Sequence, residues 1–185
     1  MGRVVDGISA ELAAFLEAQP VFFVATAPDD PTGFVNCSPK GLDTFRVIDS
    51  HTVTYLDLTG SGVETIAHLR DNGRITLMFC AFTGRPDIVR LQGRGRFVLA
   101  DDPEAEPYLA RFPDYPGARA VIVVDVERVS SSCGFAVPRM TLDRPRDELV
   151  EWAAKKDADG LARYRADKNA RSIDGLPGLR EQGRP

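Results

Sequence analysis

Asp87-Ile88-Val89-Arg90-Leu91-Gln92-Gly93-Arg94-Gly95-Arg96-Phe97-Val98-Leu99 is the stretch whose reading decides the fold. Apolar and polar residues alternate along it with the period of a half-buried strand. Gly93 and Gly95 interrupt it where glycine costs a strand stability unless the chain must bend or bulge. A long strand that bends predicts a sheet that closes on itself. Five other segments supply its partners. Residues 21–27 are β-branched and aromatic and stop at the turn cluster Pro28-Asp29-Asp30-Pro31-Thr32-Gly33, which predicts a hairpin with residues 34–38 as the return strand. Residues 52–58, 74–82 and 120–129 are the remaining strand-like runs. Helical spacing over 9–19, with Ser9 as cap and Pro20 as stop, predicts one helix; a second runs from Gly62 to about Asn72, and a short acidic one opens at Pro103. Strands dominate and helices decorate, so the reading is an antiparallel β-barrel with peripheral helices rather than a doubly wound α/β fold.

The closing quarter differs in character. Asp143 precedes Pro145, Asp147 and Glu148 crowd a first turn, and Lys155 and Lys156 close a last one, the charge order a helix dipole favours. This predicts a helix from Arg144 to Lys156 and a second from Asp159 to Lys168. The expected organisation is therefore a barrel domain over 1–142 and a helical C-terminal extension of the same domain over 143–185.

Composition excludes several classes of function. A net charge of -4, with no long Lys/Arg run, argues against a nucleic-acid partner. No apolar run approaches the roughly 20 residues that span a bilayer, and the first residues lack a signal-peptide core, so a cytoplasmic protein without membrane contact is expected. Cys37, Cys80 and Cys133 are odd in number and lack any CxxC spacing, so neither a disulfide framework nor a zinc site is implied; reduced thiols are expected, with Cys37 and Cys133 buried and inert in their apolar strand contexts. His51 and His68 do not form a metal motif, and no GxSxG elbow is present for a serine hydrolase.

Two segments can carry chemistry. Thr59-Gly60-Ser61-Gly62-Val63-Glu64-Thr65 empties a strand into a helix start, where free N–H groups and the positive helix end suit a phosphate. The same spacing fits a capping box in which Ser61 and Glu64 satisfy those N–H groups with no ligand. Asn36-Cys37-Ser38-Pro39-Lys40-Gly41 combines a cation, a hydroxyl and a glycine at a strand end: Lys40 can neutralise phosphate and Ser38 can donate to it, and a solvated turn is the alternative. Ile88, Arg90, Gln92 and Arg94 share one face of the long strand, as a ligand-facing wall or a wet surface. Trp152 reads as a packing anchor.

Taken in order, Val21 to Thr26, Val35 to Gly41, Tyr55 to Leu58, Gly60-Ser61-Gly62, Phe79, Arg90 to Gly93 and Ser132 to Phe135 resemble the FMN-binding split-barrel family related to pyridoxamine 5′-phosphate oxidase. The likeness covers about residues 8–138. It implies a mainly β (α+β) fold, a six-stranded antiparallel split β-barrel, and a homodimer with FMN in two sites at the subunit interface. The family's phosphate grip falls on Lys40, Ser61, Gly62 and Val63, and its flavin ring lies along Ser38, Pro39 and the strand Tyr55, Leu56, Asp57, Leu58. Ile88 and Arg90 would flank the ring, and Cys133, Gly134 and Phe135 would approach from the second subunit. Two departures narrow the implication. Gly62 and Val63 stand where the oxidases carry an Arg-Lys pair, and Trp152 is followed by Ala153-Ala154-Lys155-Lys156 rather than by arginines. Oxidation of pyridoxamine phosphate itself is therefore not implied. What is implied is an FMN-dependent oxidoreductase acting on a small organic molecule by hydride transfer through flavin N5, with no side chain assigned as acid or base. The alternatives are a non-catalytic flavin or haem sensor, with His68 as the available imidazole, and an F420-dependent reductase.

Overall fold

The computed structural model describes residues 2–179. Eight strands run in chain order as β1 (Arg3–Val5), β2 (Phe22–Thr26), β3 (Asn36–Lys40), β4 (Phe45–Val47), β5 (Thr52–Leu58), β6 (Arg74–Cys80), β7 (Ile88–Leu99) and β8 (Ala118–Ser132). They form one antiparallel sheet in the order β3-β2-β6-β7-β8-β5-β4, with β1 also paired to β8. The six strands expected from sequence are all present. The two additional ones, β1 and β4, have three residues each, too short to show an alternating pattern. β3 begins at Asn36 rather than at Phe34, because Phe34 and Val35 stay out in the hairpin loop, 66% and 73% exposed.

The sheet curls until its two ends meet. β2 and β4 lie near opposite ends of the strand order, yet the rings of Phe22 and Phe45 are 5.4 Å apart. Phe79 on β6 stacks on Phe22 at 5.3 Å and meets Phe45 edge-on at 4.8 Å, and Tyr55 on β5 completes the plug. Side chains thus close the cylinder where backbone ladders do not, with each aromatic pair contributing about 0.5–1.5 kcal/mol beyond its burial. The bend sits where β7 crosses β8. The register slips between Gln92 and Gly93, and a Cβ on Gly93 would lie 2.0 Å from the Asp125 carbonyl oxygen, so only glycine fits.

Helices cover the open ends. α1 (Ala10–Glu17) is capped by Ser9, whose hydroxyl accepts from Leu12 N at 3.2 Å, and it packs Leu12, Phe15 and Leu16 on the core. α2 (Glu64–Asp71) buries Ile66, Ala67, His68 and Leu69. A 3-10 turn (Pro103–Ala105) and α3 (Glu106–Leu109) lead into a second apolar cluster, where Tyr108, Leu109, Phe112 and Tyr115 cover the outer face of β5 and β8. In the C-terminal extension, α4 (Glu148–Ala154) and α5 (Ala158–Lys168) are joined by Trp152 against Tyr164, ring centroids 4.8 Å apart. α4 starts later than the sequence predicts because residues 141–147 run without helical structure. Residues 180–185 of the expected extension lie outside the described residues. Among the described residues no helix is long and apolar enough to cross a membrane.

Candidate functional site

A crevice of about 770 Å³ opens between β3, β5 and the start of α2. That volume falls in the range of roughly 300–1,000 Å³ typical of cofactor and small-molecule sites. β3 contributes Asn36, Ser38, Pro39 and Lys40, β5 contributes Leu56 and Leu58, and the turn into α2 contributes Gly60, Gly62, Glu64 and Thr65. Arg119 reaches it from β8, and Leu142, Arg144, Arg146 and Leu149 of the extension complete the lining.

The start of α2 is not a capping box. Val63 is the N-cap and makes no side-chain cap bond, and Ser61 is exposed. Glu64 instead folds back over Gly62, where a Cβ would meet its Oε2 at 2.5 Å. First-turn N–H groups therefore carry no side-chain cap and keep the partial positive charge of a helix start. The Glu64 carboxylate beside them is a competing charge.

The electrostatic centre is Asp57, which is 1% exposed. Its Oδ2 accepts from Arg119 Nε at 2.6 Å and its Oδ1 from Lys40 Nζ at 3.1 Å. Burial pushes the Asp57 carboxyl up, but the charges of Arg119 and Lys40 and their hydrogen bonds outweigh it and hold the group below the usual carboxylate range. Lys40 and Arg119 offset Asp57 and Glu64, and Arg144 and Arg146 of the extension leave the crevice wall with a net positive charge. An anion entering it meets cations already oriented and desolvated.

A polar chain runs from the crevice into the core. Ser38 Oγ donates to Asn36 Oδ1 at 2.8 Å, and Asn36 Nδ2 donates to both Thr26 Oγ1 and Thr65 Oγ1 at 3.1 Å. Thr26 Oγ1 lies 2.9 Å from His68 Nδ1. Thr26 Oγ1 thus joins Asn36 to the imidazole, its hydroxyl having one proton and two lone pairs to share between them. Among the described residues Nε2 has no hydrogen-bond partner, and it faces Asp174 Oδ2 at 4.0 Å. Burial lowers the His68 pKa against the pull of Asp174, Glu64 and Asp71, which keeps the ring neutral. His68 is fully buried and does not line the crevice, so it offers no accessible imidazole.

The residues singled out from sequence divide into four groups. Ser38, Pro39, Lys40, Leu56, Leu58 and Gly62 line the crevice together. Tyr55, Asp57 and Val63 are buried and do not line it: Asp57 acts through its cations, and the side chains of Tyr55 and Val63 belong to the core. Ser61 sits exposed on the turn. Ile88, Arg90, Cys133, Gly134 and Phe135 do not line this crevice; they lie together elsewhere, with Ile88 opposite Ser132 and Arg90 Nη1 donating to Ser132 Oγ at 3.0 Å. Phe135 is 83% exposed. Cys37 and Cys133, expected to be buried, are exposed, because β3 is a sheet edge and Cys133 follows the end of β8. Sequence reasoning missed Arg119, and it read Glu64 as half of a capping box rather than as a charge beside the site. The available signal for Arg119 was a guanidinium directly ahead of the apolar run Ala120 to Val124, at the level of Asp57, which pairs with Ala120.

Comparison with known proteins supplies an independent finding. Residues 8–133 match the family model described as pyridoxamine 5′-phosphate oxidase. The chain is 40% identical over 193 residues to the Aspergillus flavus pyridoxamine 5′-phosphate oxidase family protein ustO, covering 94% of this chain and 76% of that one. Among solved structures, a HupZ variant from Group A Streptococcus is similar with a TM-score of 0.53 at 25% identity, covering 68% of this chain and 99% of the other. A protein from Mycobacterium smegmatis, described as FAD binding, shares the fold with a TM-score of 0.50 at 15% identity, covering 70% of this chain and 98% of its own.

Proposed function

The chain belongs to the pyridoxamine 5′-phosphate oxidase family, and from that premise we propose that the β3–β5–α2 crevice seats FMN in a dimeric oxidoreductase acting on a small organic molecule. The observation that carries the reading is the donor set. Lys40, Arg119 and an uncapped helix start converge on a crevice whose wall also carries the apolar Pro39, Leu56 and Leu58, with Glu64 as its one carboxylate among the described lining residues. A phosphate monoester needs cations and N–H donors, and a planar ring needs an apolar wall with few polar groups, so these residues fit the group. The description of the Mycobacterium smegmatis protein as FAD binding supports a flavin within this fold.

When bound, a flavin supplies two-electron hydride chemistry that no side chain here provides. The protein's part is to bind and orient. Lys40 and Arg119 hold the phosphate, with Asp57 fixing both cations behind the surface. Ser38 presents a hydroxyl whose direction is set by Asn36, and through Asn36 by Thr26 and His68. Leu56 and Leu58 exclude water from the ring face.

The dimer enters through the residues absent from the crevice of their own chain. Ile88, Arg90 and Phe135 cluster at one end of the β7–β8 pair, and Phe135 is an exposed aromatic with nothing to cover it within the chain's described residues. In the proposed dimer this cluster completes the crevice of the other subunit as a unit.

The test is equilibrium titration with FMN, FAD and deazaflavin F420, with the mass in solution measured alongside. FMN binding by a dimer is expected, and Lys40→Ala is expected to weaken it about tenfold, the scale of one lost charge-assisted hydrogen bond. A monomer that binds none of the three, or binding indifferent to Lys40, would refute the reading.

A further inference from the structure

The part of the chain beyond the family match makes a compact set of polar contacts behind the crevice. Asn169, which ends α5, is fully buried. Its Oδ1 accepts from Arg119 Nη1 at 2.9 Å, and its Nδ2 donates to the carbonyls of Gly60 at 2.9 Å and Ser61 at 3.4 Å. One turn earlier, Arg165 Nε donates to Thr59 Oγ1 at 2.9 Å and its Nη2 to the Ala118 carbonyl at 3.0 Å. The chain then folds over the start of α2. Arg70 Nη2 donates to the Gly178 carbonyl at 2.9 Å, and a Cβ on Gly178 would lie 2.8 Å from Val63 Cγ1 and 2.3 Å from the Asn169 carbonyl oxygen. These bonds reach the cation Arg119 and the turn that precedes α2. None is made to Pro39, Leu56 or Leu58.

We infer that Asn169 is a positioning residue for the phosphate of the bound flavin, locking Arg119 to the Gly60-Ser61 turn so that the C-terminal extension completes the anion seat from within the same chain. The inference rests on the flavin reading above. An amide is suited to the role because it accepts from a guanidinium at one atom and donates to carbonyls at the other. A carboxylate of the same size would still accept from Arg119, but it would lose the donor and cancel the cation's charge. An extra cation pair after Ser61 is not needed if Arg119 is held at the seat from β8, which accounts for Gly62 and Val63 at those positions.

The experiment compares FMN with riboflavin, which has the same ring and no phosphate, on the full chain. Wild-type protein should prefer FMN. Asn169→Ala should weaken FMN about tenfold, the scale of lost bonds to a charged group, and leave riboflavin within about twofold. Asn169→Asp, which keeps the side chain's size but sets a carboxylate against the Gly60 and Ser61 carbonyls and offsets the charge of Arg119, should weaken FMN further while sparing riboflavin, with thermal melting used to establish that the variant is folded. If either variant weakens both flavins equally, Asn169 is only scaffold and the inference is overturned; unchanged FMN affinity in Asn169→Asp overturns it as well. Wild-type protein that binds neither flavin would instead refute the flavin reading, and this inference with it.

Discussion

Asp57 is the residue on which the crevice depends. Its folded pKa lies below its unfolded value of about 3.9. Its contribution to stability is therefore fully present above that value and is lost as pH falls through the folded one. His68 follows the same sign: its folded pKa lies below about 6.5, so stability rises with pH across the interval between the two values. Thermal melting against pH should show an acid limb with two steps, the upper removed by His68→Gln. Asp57→Asn should cost about 3–5 kcal/mol near neutral pH, because it leaves Arg119 buried and uncompensated, and should flatten the lowest limb. A variant as stable as wild type would mean that the pair is not desolvated as described. At this scale the sequence was only partly legible. Lys40 stood out as a cation and Asp57 only as one residue of the strand that the family resemblance sets along the ring, and their pairing joins residues 17 apart across the seam, which no local spacing encodes. Arg119 offered only its place ahead of an apolar strand, and its partner Asn169 is a helix end 50 residues away, so no local spacing joins those two either.

Elements were more legible than residues, because periodicity is local and pairing is not. β5, β6 and β7 appear where alternating or β-branched runs predict them. β8 extends further than expected in both directions, to Ala118 and Ser132, because β5 pairs with it as far as Ala118 and β7 as far as Ser132, pulling polar residues into the ladder. The helix dipole argument placed α4 within its predicted range but four residues late, since Arg144 and Pro145 line the crevice instead of opening a helix. The clearest test at this level is the bend in β7. Gly93→Ala puts a methyl group into the Asp125 carbonyl and should cost about 1–3 kcal/mol or more, read as a lowered urea midpoint. Gly60→Ala meets nothing within 4 Å and has no left-handed backbone, so it should leave the midpoint within about 0.5 kcal/mol. Equal effects at the two positions would argue against a bulge at Gly93.

At the scale of the whole molecule, one physical arrangement links fold to site. Curling the sheet brings β3 beside β5, which no ladder joins, and the seam between them is bridged by Lys40 and Asp57 rather than by backbone bonds. An unzipped seam in a barrel wall is a crevice, and here α2 points its uncapped start at it. The ordered series of short motifs made this architecture legible, because each motif marks a strand end or turn that the closure brings together. The extension was legible as helices but not as part of the site, since its contribution runs through Asn169 and residues 142–149 rather than through any motif. The most direct test of the central claim is a crystal structure of the protein grown with FMN. The account predicts the phosphate within hydrogen-bond distance of Lys40 Nζ, Arg119 and the first-turn amides of α2, with the ring against Leu56 and Leu58. A phosphate bound elsewhere, or a crevice closed by residues 142–149 with the flavin outside it, would contradict it.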